Sequence, residues 1–390
     1  MSSSPSPESP SSVPSEDTVK IINARWIPRG CTLYDDIGEI IRVGARLEAA
    51  AISEKPDGLD MPEVKKKRYR CLYGRILSTV DGLGDYIVQA SPSAINTLVR
   101  KITKAAQNAR SEDTANLRNE FGLFASSDPQ RTTLETPLTH SKDERGINHP
   151  DLARFLCPAQ DLAKYDLDPM EGRKMMRDGR IKLEAGRFPI GFYKDHKYDP
   201  YNPEAGLFQS EELLKAARYI FTGKATTQDN YTPQGARGTT KINGIKRVTG
   251  YMIIYIACQV RFTASSFSTW VTVESAPKTS VAKGSSKSRI KPFSYAELHA
   301  LGVSMLERED GDEDETAREI KAVWNFHIFG DEDEEEHPND SPLLREEADG
   351  VEEVSDWEKM EALRLARAKA RQAKASKLVP SVSSFRCRPM

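Results

Sequence analysis

Four side chains able to exchange protons or bind a ligand lie close together in the chain, at Tyr193, Asp195, His196 and Tyr198. An imidazole titrates near neutral pH, so His196 beside Asp195 has the composition of an acid–base pair. The surrounding segment is rich in proline, as surface loops are, and charged residues in such loops usually serve as ordinary hydrogen-bonding groups. We therefore treat the four as weak binding candidates and assign no residue a catalytic role.

A second group of polar side chains occupies residues 109–114. Ser111 predicts the start of a helix, because its hydroxyl can accept amide hydrogen bonds and the two acids that follow it favour the positive end of a helix. Arg110 could pair with an acid elsewhere in the chain. We keep Arg110 and Asp113 as weak binding candidates.

The sequence lacks the patterns that carry most enzyme and metal chemistry: a G-x-S-x-G turn, a P-loop and a G-x-G-x-x-G loop. Its six histidines are dispersed, and its five cysteines form no pair with zinc-ligand spacing. We predict no metal and no cofactor. Scattered cysteines without a secretory signal indicate a reducing intracellular compartment, with nucleus and cytoplasm both open. The longest apolar run, at 251–260, is too short to cross a bilayer, so we predict no membrane contact.

Two basic segments suggest contact with nucleic acid. The run Lys65, Lys66, Lys67 and Arg68 fits a nuclear-import pattern, although lysines ahead of a helix are commonly only solvated surface. Near the C-terminus a helix carries six cations and no acid, at Arg364, Arg367, Lys369, Arg371, Lys374 and Lys377. Such a helix can lie along nucleic-acid phosphates. It can equally fold back on residues 309–353, which hold 19 acidic against 3 basic residues.

Aromatic residues concentrate at 188–270, which hold 14 of the chain's 30. Large rings supply most of the burial energy of a core, so the folded centre lies here. Prolines forbid a long helix over 187–207 and predict an irregular, ordered strap. Helices are predicted after this strap. Two begin at the caps Ser210 and Ser294, and two are indicated by apolar stripes at 251–262 and 317–328. Asn243 and Gly244 predict a small hairpin.

Elsewhere the clearest amphipathic stripe runs over 69–80. Thr32 and Ser93 are predicted helix caps. Residues 355–374 are predicted to form a solitary helix. The fold class is therefore mainly α, an irregular multi-helix domain with long ordered loops and a charged C-terminal tail. We expect a disordered Ser/Pro tail at 1–18, a helical domain at 20–330, an acidic linker at 331–354, and a basic helix and tail at 355–390.

Several short sequence segments together resemble an uncharacterised family of basidiomycete fungal proteins, domain of unknown function 6698. They run in family order over roughly 60–330, and comprise residues 109–114, 145–149, 156–158, 178–179, 188–200, 206–208, 217–222, 248–249, 259–262, 265–266 and 324–325. The resemblance implies a fungal intracellular protein. It transfers no activity, cofactor or site residue.

Three functional hypotheses follow from these observations. The leading one is a non-enzymatic protein-interaction or scaffold domain with protein partners, suggested by the aromatic core and the oppositely charged tails. The second is a nuclear nucleic-acid-associated protein that uses the basic C-terminal helix. The third is an enzyme with an unfamiliar site at 193–199; we lean against enzymatic activity.

Overall fold

A computed structural model describes residues 16–123, 125, 134–228, 231–270, 293–307, 314–330 and 354–378. In these residues the chain forms fifteen α-helices and no β-strand, which confirms the mainly α fold class. The helices are α1 (Glu16–Ala24), α2 (Ile27–Gly30), α3 (Ile37–Ser53), α4 (Glu63–Thr79), α5 (Leu83–Gln89), α6 (Pro92–Glu120), α7 (Pro150–Leu156), α8 (Leu162–Leu167), α9 (Pro169–Asp178), α10 (Glu211–Phe221), α11 (Gly238–Ile242), α12 (Gly250–Ala264), α13 (Tyr295–Leu306), α14 (Glu315–Phe329) and α15 (Asp356–Leu378).

At the N-terminus α1 begins inside the segment that we expected to be disordered, so residues 16–18 are helical. The rest of that segment, residues 1–15, lies outside the described part of the chain, as do residues 331–353 of the acidic stretch.

Helix α12 is the centre of the fold. Fourteen of its fifteen residues are buried, which explains why its sequence is apolar on every side rather than along one stripe. Helices α2, α6, α10 and α13 pack around it. The predicted buried helix at 251–262 is therefore confirmed.

The aromatic strap at 188–208 is irregular, as its prolines predict, and contains only two short 3-10 turns. Its rings pack on one another: the centroid of Phe208 lies 5.4 Å from that of Phe188 and 5.7 Å from that of Phe192. Trp324 of α14 donates from Nε1 to the Phe208 carbonyl at 2.7 Å. The strap is thus fixed both by its own rings and by a buried tryptophan from a later helix.

Helix α6 corrects the expectation of two shorter helices. It runs unbroken for 29 residues, and its N-cap is Ser91 rather than Ser93, with Pro92 in the first turn. Ser111, the predicted cap of a separate helix, lies inside α6 and donates its hydroxyl to the Gln107 carbonyl at 2.9 Å. A serine that bonds back to the preceding turn fits within a helix, so its type alone did not mark a boundary.

Two hydrophobic clusters share α6. The smaller cluster is built from α2 to α5 and the first half of α6, where Leu98 and Ile102 are buried. The larger cluster is centred on α12 and receives the second half of α6 through Leu117, with Phe121 directly after the helix. A single rigid helix therefore carries both cores.

Two other local predictions were wrong. The expected hairpin at Asn243 and Gly244 is the end of α11, where the Asn243 amide donates to the Thr239 carbonyl at 2.7 Å. The expected cap Thr32 bonds Asp35 instead, and Asp36 caps α3 by accepting from the Glu39 amide at 2.9 Å. By contrast, Ser210 and Ser294 cap α10 and α13 as predicted, and the stripes of α4 and α14 are buried.

Candidate functional site: a groove that holds the C-terminal helix

The cluster at 193–198 does not come together as an acid–base site. The Tyr193 hydroxyl is buried and donates to the Pro203 carbonyl at 3.1 Å. His196 is also buried, with Nε2 3.1 Å from the Glu212 carboxylate of α10, whereas Asp195 is exposed. The carboxylate beside the imidazole is thus one that the sequence pattern did not indicate.

Tyr198 leads to the most informative polar contact in the fold. Its hydroxyl donates to Asp356 Oδ1 at 2.6 Å, and Asp356 is the first residue of α15. Burial, and then the nearby carboxylate, raises the pKa of Tyr198, so the phenol keeps its proton at neutral pH. Next to it, the Trp357 amide donates to the Gly186 carbonyl at 3.1 Å. The start of α15 is therefore fastened to the strap by a side chain and to the preceding loop by the backbone.

The absence of a side chain at Gly186 accommodates this close approach. A Cβ there would lie 3.2 Å from Cβ of Trp357 and 3.5 Å from the Ser355 hydroxyl. A larger side chain would push α15 away from the loop.

Farther along α15, two arginines form ion pairs with one carboxylate. Arg364 Nε lies 2.6 Å from Glu204 Oε1, and Arg367 Nη1 lies 2.7 Å from Glu204 Oε2. The Thr316 hydroxyl donates to the same carboxylate at 3.1 Å, and Asp314 lies 3.4 Å from Arg364. Glu204 is only 2% exposed. Charge-assisted pairs of this kind are the strongest hydrogen bonds that protein side chains make.

Between these two ends, α15 adds apolar contact. Met360 is 1% exposed and belongs to the larger core, and Trp357 packs on its edge. Trp357, Met360, Arg364 and Arg367 are spaced by three, four and three residues, so they form one face of the helix. The helix expected to be solitary is therefore packed on the body of the protein. We call the surface beneath it the docking groove, defined by Gly186, Tyr198, Glu204, Met305 and Asp314.

The remaining members of the predicted basic tail differ in how they are placed. Lys369 is exposed on α15. The side chains of Arg371 and Lys374 lie outside the described part of the structure, although the backbone is helical there. The side chain of Lys377 lies outside it as well, so of the six cations the described residues show only Arg364 and Arg367 with partners.

An open pocket of about 260 Å³ lies where α15 begins. Its lining combines the rings of Phe293 and Trp357 with apolar side chains and the carboxylates of Glu184, Glu297 and Glu358. The hydroxyl of Ser355 donates to Glu358 at 2.8 Å and caps α15, while that of Ser294 caps α13. Both hydroxyls in the pocket are therefore already used in helix capping.

Of the two other weak candidates, Asp113 belongs to a buried polar network on α6. Both oxygens of Asp113 accept from the Arg29 guanidinium, at 2.7 and 2.8 Å, and Oδ2 also accepts from the Tyr255 hydroxyl at 2.6 Å. Burial lowers the pKa of Arg29, but pairing with Asp113 outweighs it and the pKa is raised overall. Arg110 differs, because its guanidinium faces the Trp270 ring at 5.9 Å. Asp113 thus joins α2, α6 and α12.

The predicted nuclear-import run lies in the first half of α4. Lys65, Lys67 and Arg68 are exposed, and Lys66 is half-buried. Lys66 binds Asp57 at 2.8 Å, Arg68 binds Asp35 at 2.8 Å, and Lys65 lies 3.9 Å from Glu39. The run is therefore part of a folded helix that has acidic neighbours.

Comparison with protein families gives one match, to the sequence profile of a family of unknown function, DUF6698, over residues 104–329. The match covers more than half of the chain. This chain belongs to that family. The matched region is narrower than the range 60–330 over which the sequence segments resemble the family, and its first residue lies inside α6. Neither the curated proteins nor the solved structures contain a match to the chain.

Within the DUF6698 region, the motif at 145–149 has a structural role. Arg145 is buried and donates to the carbonyls of Arg118 and Thr263, near the C-terminal ends of α6 and α12. A cation there compensates the negative ends of two helix dipoles. His149 then caps α7 by accepting from the Leu152 amide. The motif therefore locks three helices together.

Every residue that defines the docking groove lies in the DUF6698 region, and α15 lies outside it. In the described residues there is no group of three His, Cys, Asp or Glu side chains suited to a metal ion. Nor does any described helix have the length and apolar character needed to cross a bilayer.

Sequence reasoning missed the carboxylates that matter most here, Glu204 and Asp356. Glu204 lies 160 residues from Arg364, so no local pattern connects the two. The one available signal was the spacing of Trp357 and Met360 ahead of the arginines, which makes an apolar and basic face on a helix otherwise interpreted as solvated.

Proposed function

We propose that the DUF6698 region of this protein is a non-enzymatic protein-interaction module whose docking groove binds an amphipathic basic helix. The observation that carries the proposal is the burial of Glu204 beneath two arginines of α15, a helix from outside the family region. In this chain the occupant is α15 itself.

Helix-in-groove binding reads anchor side chains spaced by three and four residues on one helical face. The face of α15 offers such a series: Trp357, Met360, Arg364 and Arg367. The aromatic and Met anchors supply burial, and the paired arginines supply specificity, because a helix without them leaves Glu204 as a buried, unpaired carboxylate. Partners that fit are proteins presenting a helix with the same order of anchors.

A tethered helix is a strong competitor for its own groove. Because α15 and the docking groove belong to one chain, docking is intramolecular. A partner must exceed the effective concentration of α15 at the groove or bind after α15 is released. Part of the α15 contact is imperfect: Asp356 Oδ2 and Arg364 Nη2 are buried without hydrogen-bond partners among the described residues. Such unsatisfied groups lower the free energy needed to release α15 from the docking groove.

The proposal includes the domain organisation expected from the sequence, with 20–330 as the module, 331–354 as an acidic connection and 355–390 as its basic ligand and tail. It also includes an intracellular location and the fungal origin implied by the family resemblance. The four cysteines that the structure describes are free thiols, which suits a reducing compartment.

The test separates the groove from its own helix within the full-length protein. Charge reversal of both arginines, Arg364→Glu with Arg367→Glu, should release α15 and leave the groove intact. A fluorescent synthetic peptide of residues 354–378 should then bind this variant at least about tenfold more tightly than it binds the wild-type chain, as expected for a coupling of 1–3 kcal/mol. Fluorescence anisotropy measures the binding.

Two controls make the result specific. A peptide carrying both charge reversals should not bind the opened variant. It should bind a chain that carries Glu204→Arg alone, because the introduced arginine repels the chain's own Arg364 and Arg367 and pairs with the reversed peptide. Equal and weak binding of the natural peptide to the wild-type and opened chains, with circular dichroism showing that both are folded, would rule out the helix-binding function.

A further inference from the structure

We infer that nucleic-acid phosphates compete with Glu204 for the same face of α15, so that nucleic-acid binding opens the docking groove. This inference rests on the proposed docking function, since it concerns what displaces α15. It assigns the basic helix a ligand class, the phosphate backbone of duplex DNA, and a consequence of binding.

The first step is that Glu204 already accepts from both arginines in the docking groove. Arg364 directs Nε to Glu204 and Nη1 to the Met305 carbonyl at 3.4 Å, and its side chain is 20% exposed. Arg367 directs Nη1 to the second oxygen of the same carboxylate. A phosphate cannot take the donors that Glu204 occupies while α15 stays docked.

The second step is the register of the remaining cations. Counting by three and four residues from the docked pair leads to Arg371 and Lys374, so the sequence places four cations on one helical face. No acidic residue occurs from 362 to 378. A continuous basic face of this kind follows a phosphate backbone, and half of it is covered while α15 is docked.

The third step is thermodynamic. Two ligands that exclude each other from one surface lower each other's affinity by the same factor. Weakening the contact between α15 and the groove must therefore tighten DNA binding, and DNA must in turn loosen α15. The same reciprocity makes the groove available to a partner helix when the protein is on DNA.

The first experiment uses Glu204→Gln in the full-length protein. Loss of the carboxylate charge should tighten binding of a fluorescent duplex DNA about tenfold at low salt, measured by anisotropy. Glu171→Gln is the matched control, because it removes the same charge from an exposed ion pair with Arg180 on α9. The control should leave the DNA affinity within about twofold of the wild type, as expected for a distant surface charge in high dielectric.

The second experiment needs no substitution. Hydrogen–deuterium exchange of the α15 amides is followed in the wild-type chain with and without saturating duplex DNA. Faster exchange of the Trp357 amide with DNA bound supports displacement, because that amide donates to the Gly186 carbonyl in the docked state. Helix α12 should stay protected and serve as an internal reference.

The outcomes distinguish the two ideas. DNA affinity that does not respond to Glu204→Gln, a Trp357 amide that stays protected on DNA, or no binding at low salt would each overturn the competition and leave the docking function standing. Amides of α15 that exchange as freely as an unfolded chain before any DNA is added would instead remove the docking function.

Discussion

Two segments outside the family region attach to it in opposite ways. The N-terminal segment enters through α6, and its contact is the Arg29–Asp113–Tyr255 network, in which both carboxylate oxygens have partners. The C-terminal segment attaches by α15, with a few apolar contacts between a hydrogen-bonded start and the Arg364 and Arg367 pairs with Glu204. Its Asp356 has a buried oxygen without a hydrogen-bond partner among the residues described.

The difference separates permanent from exchangeable contacts. A buried polar network stabilises a unique arrangement only when each member is satisfied, and it is costly to break. The N-terminal contact meets that condition and is further secured by Arg75, which bonds Glu307 at 3.0 Å and lies over the Tyr251 ring at 4.3 Å. The C-terminal contact has unsatisfied atoms and half-exposed arginines, which is suited to opening and closing.

The largest expected effect is on the permanent contact. Asp113→Ala leaves the buried Arg29 guanidinium without its counter-ion, and we expect the free energy of unfolding to fall by about 3–5 kcal/mol. Glu112→Ala is the matched control one residue away, since its exposed pair with Arg25 contributes about 0–1 kcal/mol. Urea denaturation measures both. Equal losses for the two variants would contradict the assigned role of the network.

The next effect is on the exchangeable contact. Met360→Ala removes the best-buried apolar anchor of α15, and a loss of roughly 2 kcal/mol corresponds to about thirtyfold faster amide exchange in that helix. The melting temperature of the body should stay unchanged. Leu365→Ala, on the same helix but 57% exposed, should alter neither. A lowered melting temperature of the whole protein with Met360→Ala would show that α15 is structural rather than displaceable.

The smallest effect concerns pH. Burial raises the pKa of Asp356 above its ordinary value of 3.8 in the docked state, with Asp161 adding to the rise and Tyr198, Lys359 and Arg187 opposing it. The docked carboxyl therefore holds its proton to a higher pH than the released one. Its contribution to docking is greatest below pH 3.8 and is lost as the pH rises through the raised pKa.

Asp356→Asn should keep the Tyr198 hydrogen bond and remove this pH dependence. At neutral pH the variant should slow α15 exchange a few-fold, because no charge is then buried. The measurement is the difference in α15 exchange between wild type and variant from pH 4 to pH 8, after correction for intrinsic exchange. A difference that does not change with pH would show that Asp356 ionisation has no influence on docking.

The sequence predicted the elements that obey local rules. Ser210 caps α10 because a hydroxyl before two acids satisfies the free amides of a helix start, and the stripes of α4 and α14 are buried because their period matches one helical face. The apolar run of α12 was predicted as a buried helix from its helical spacing, and its burial extends to every side of the helix.

Prediction failed where local chemistry had two solutions or where the partner was distant. Ser111 can cap a helix or bond back inside one, and it bonds back inside α6. Asn243 suits a hairpin turn or a helix end, and it lies at the end of α11. In both cases tertiary packing determines which of the two forms. The docking groove joins Gly186 to residues from the strap, from α13 and from the N-cap of α14. Its chemistry appears only when the chain brings Glu204 beneath Arg364.

The unbroken course of α6 has a consequence for dissecting the protein. A fragment cut at the family boundary, residue 104, would begin with a severed helix that has lost the Ser91 cap and the first half of its apolar face. The Asp113 carboxylate would also lose its buried counter-ion, Arg29. The smallest self-sufficient unit therefore has to start no later than Trp26, well upstream of the segment that defines the family.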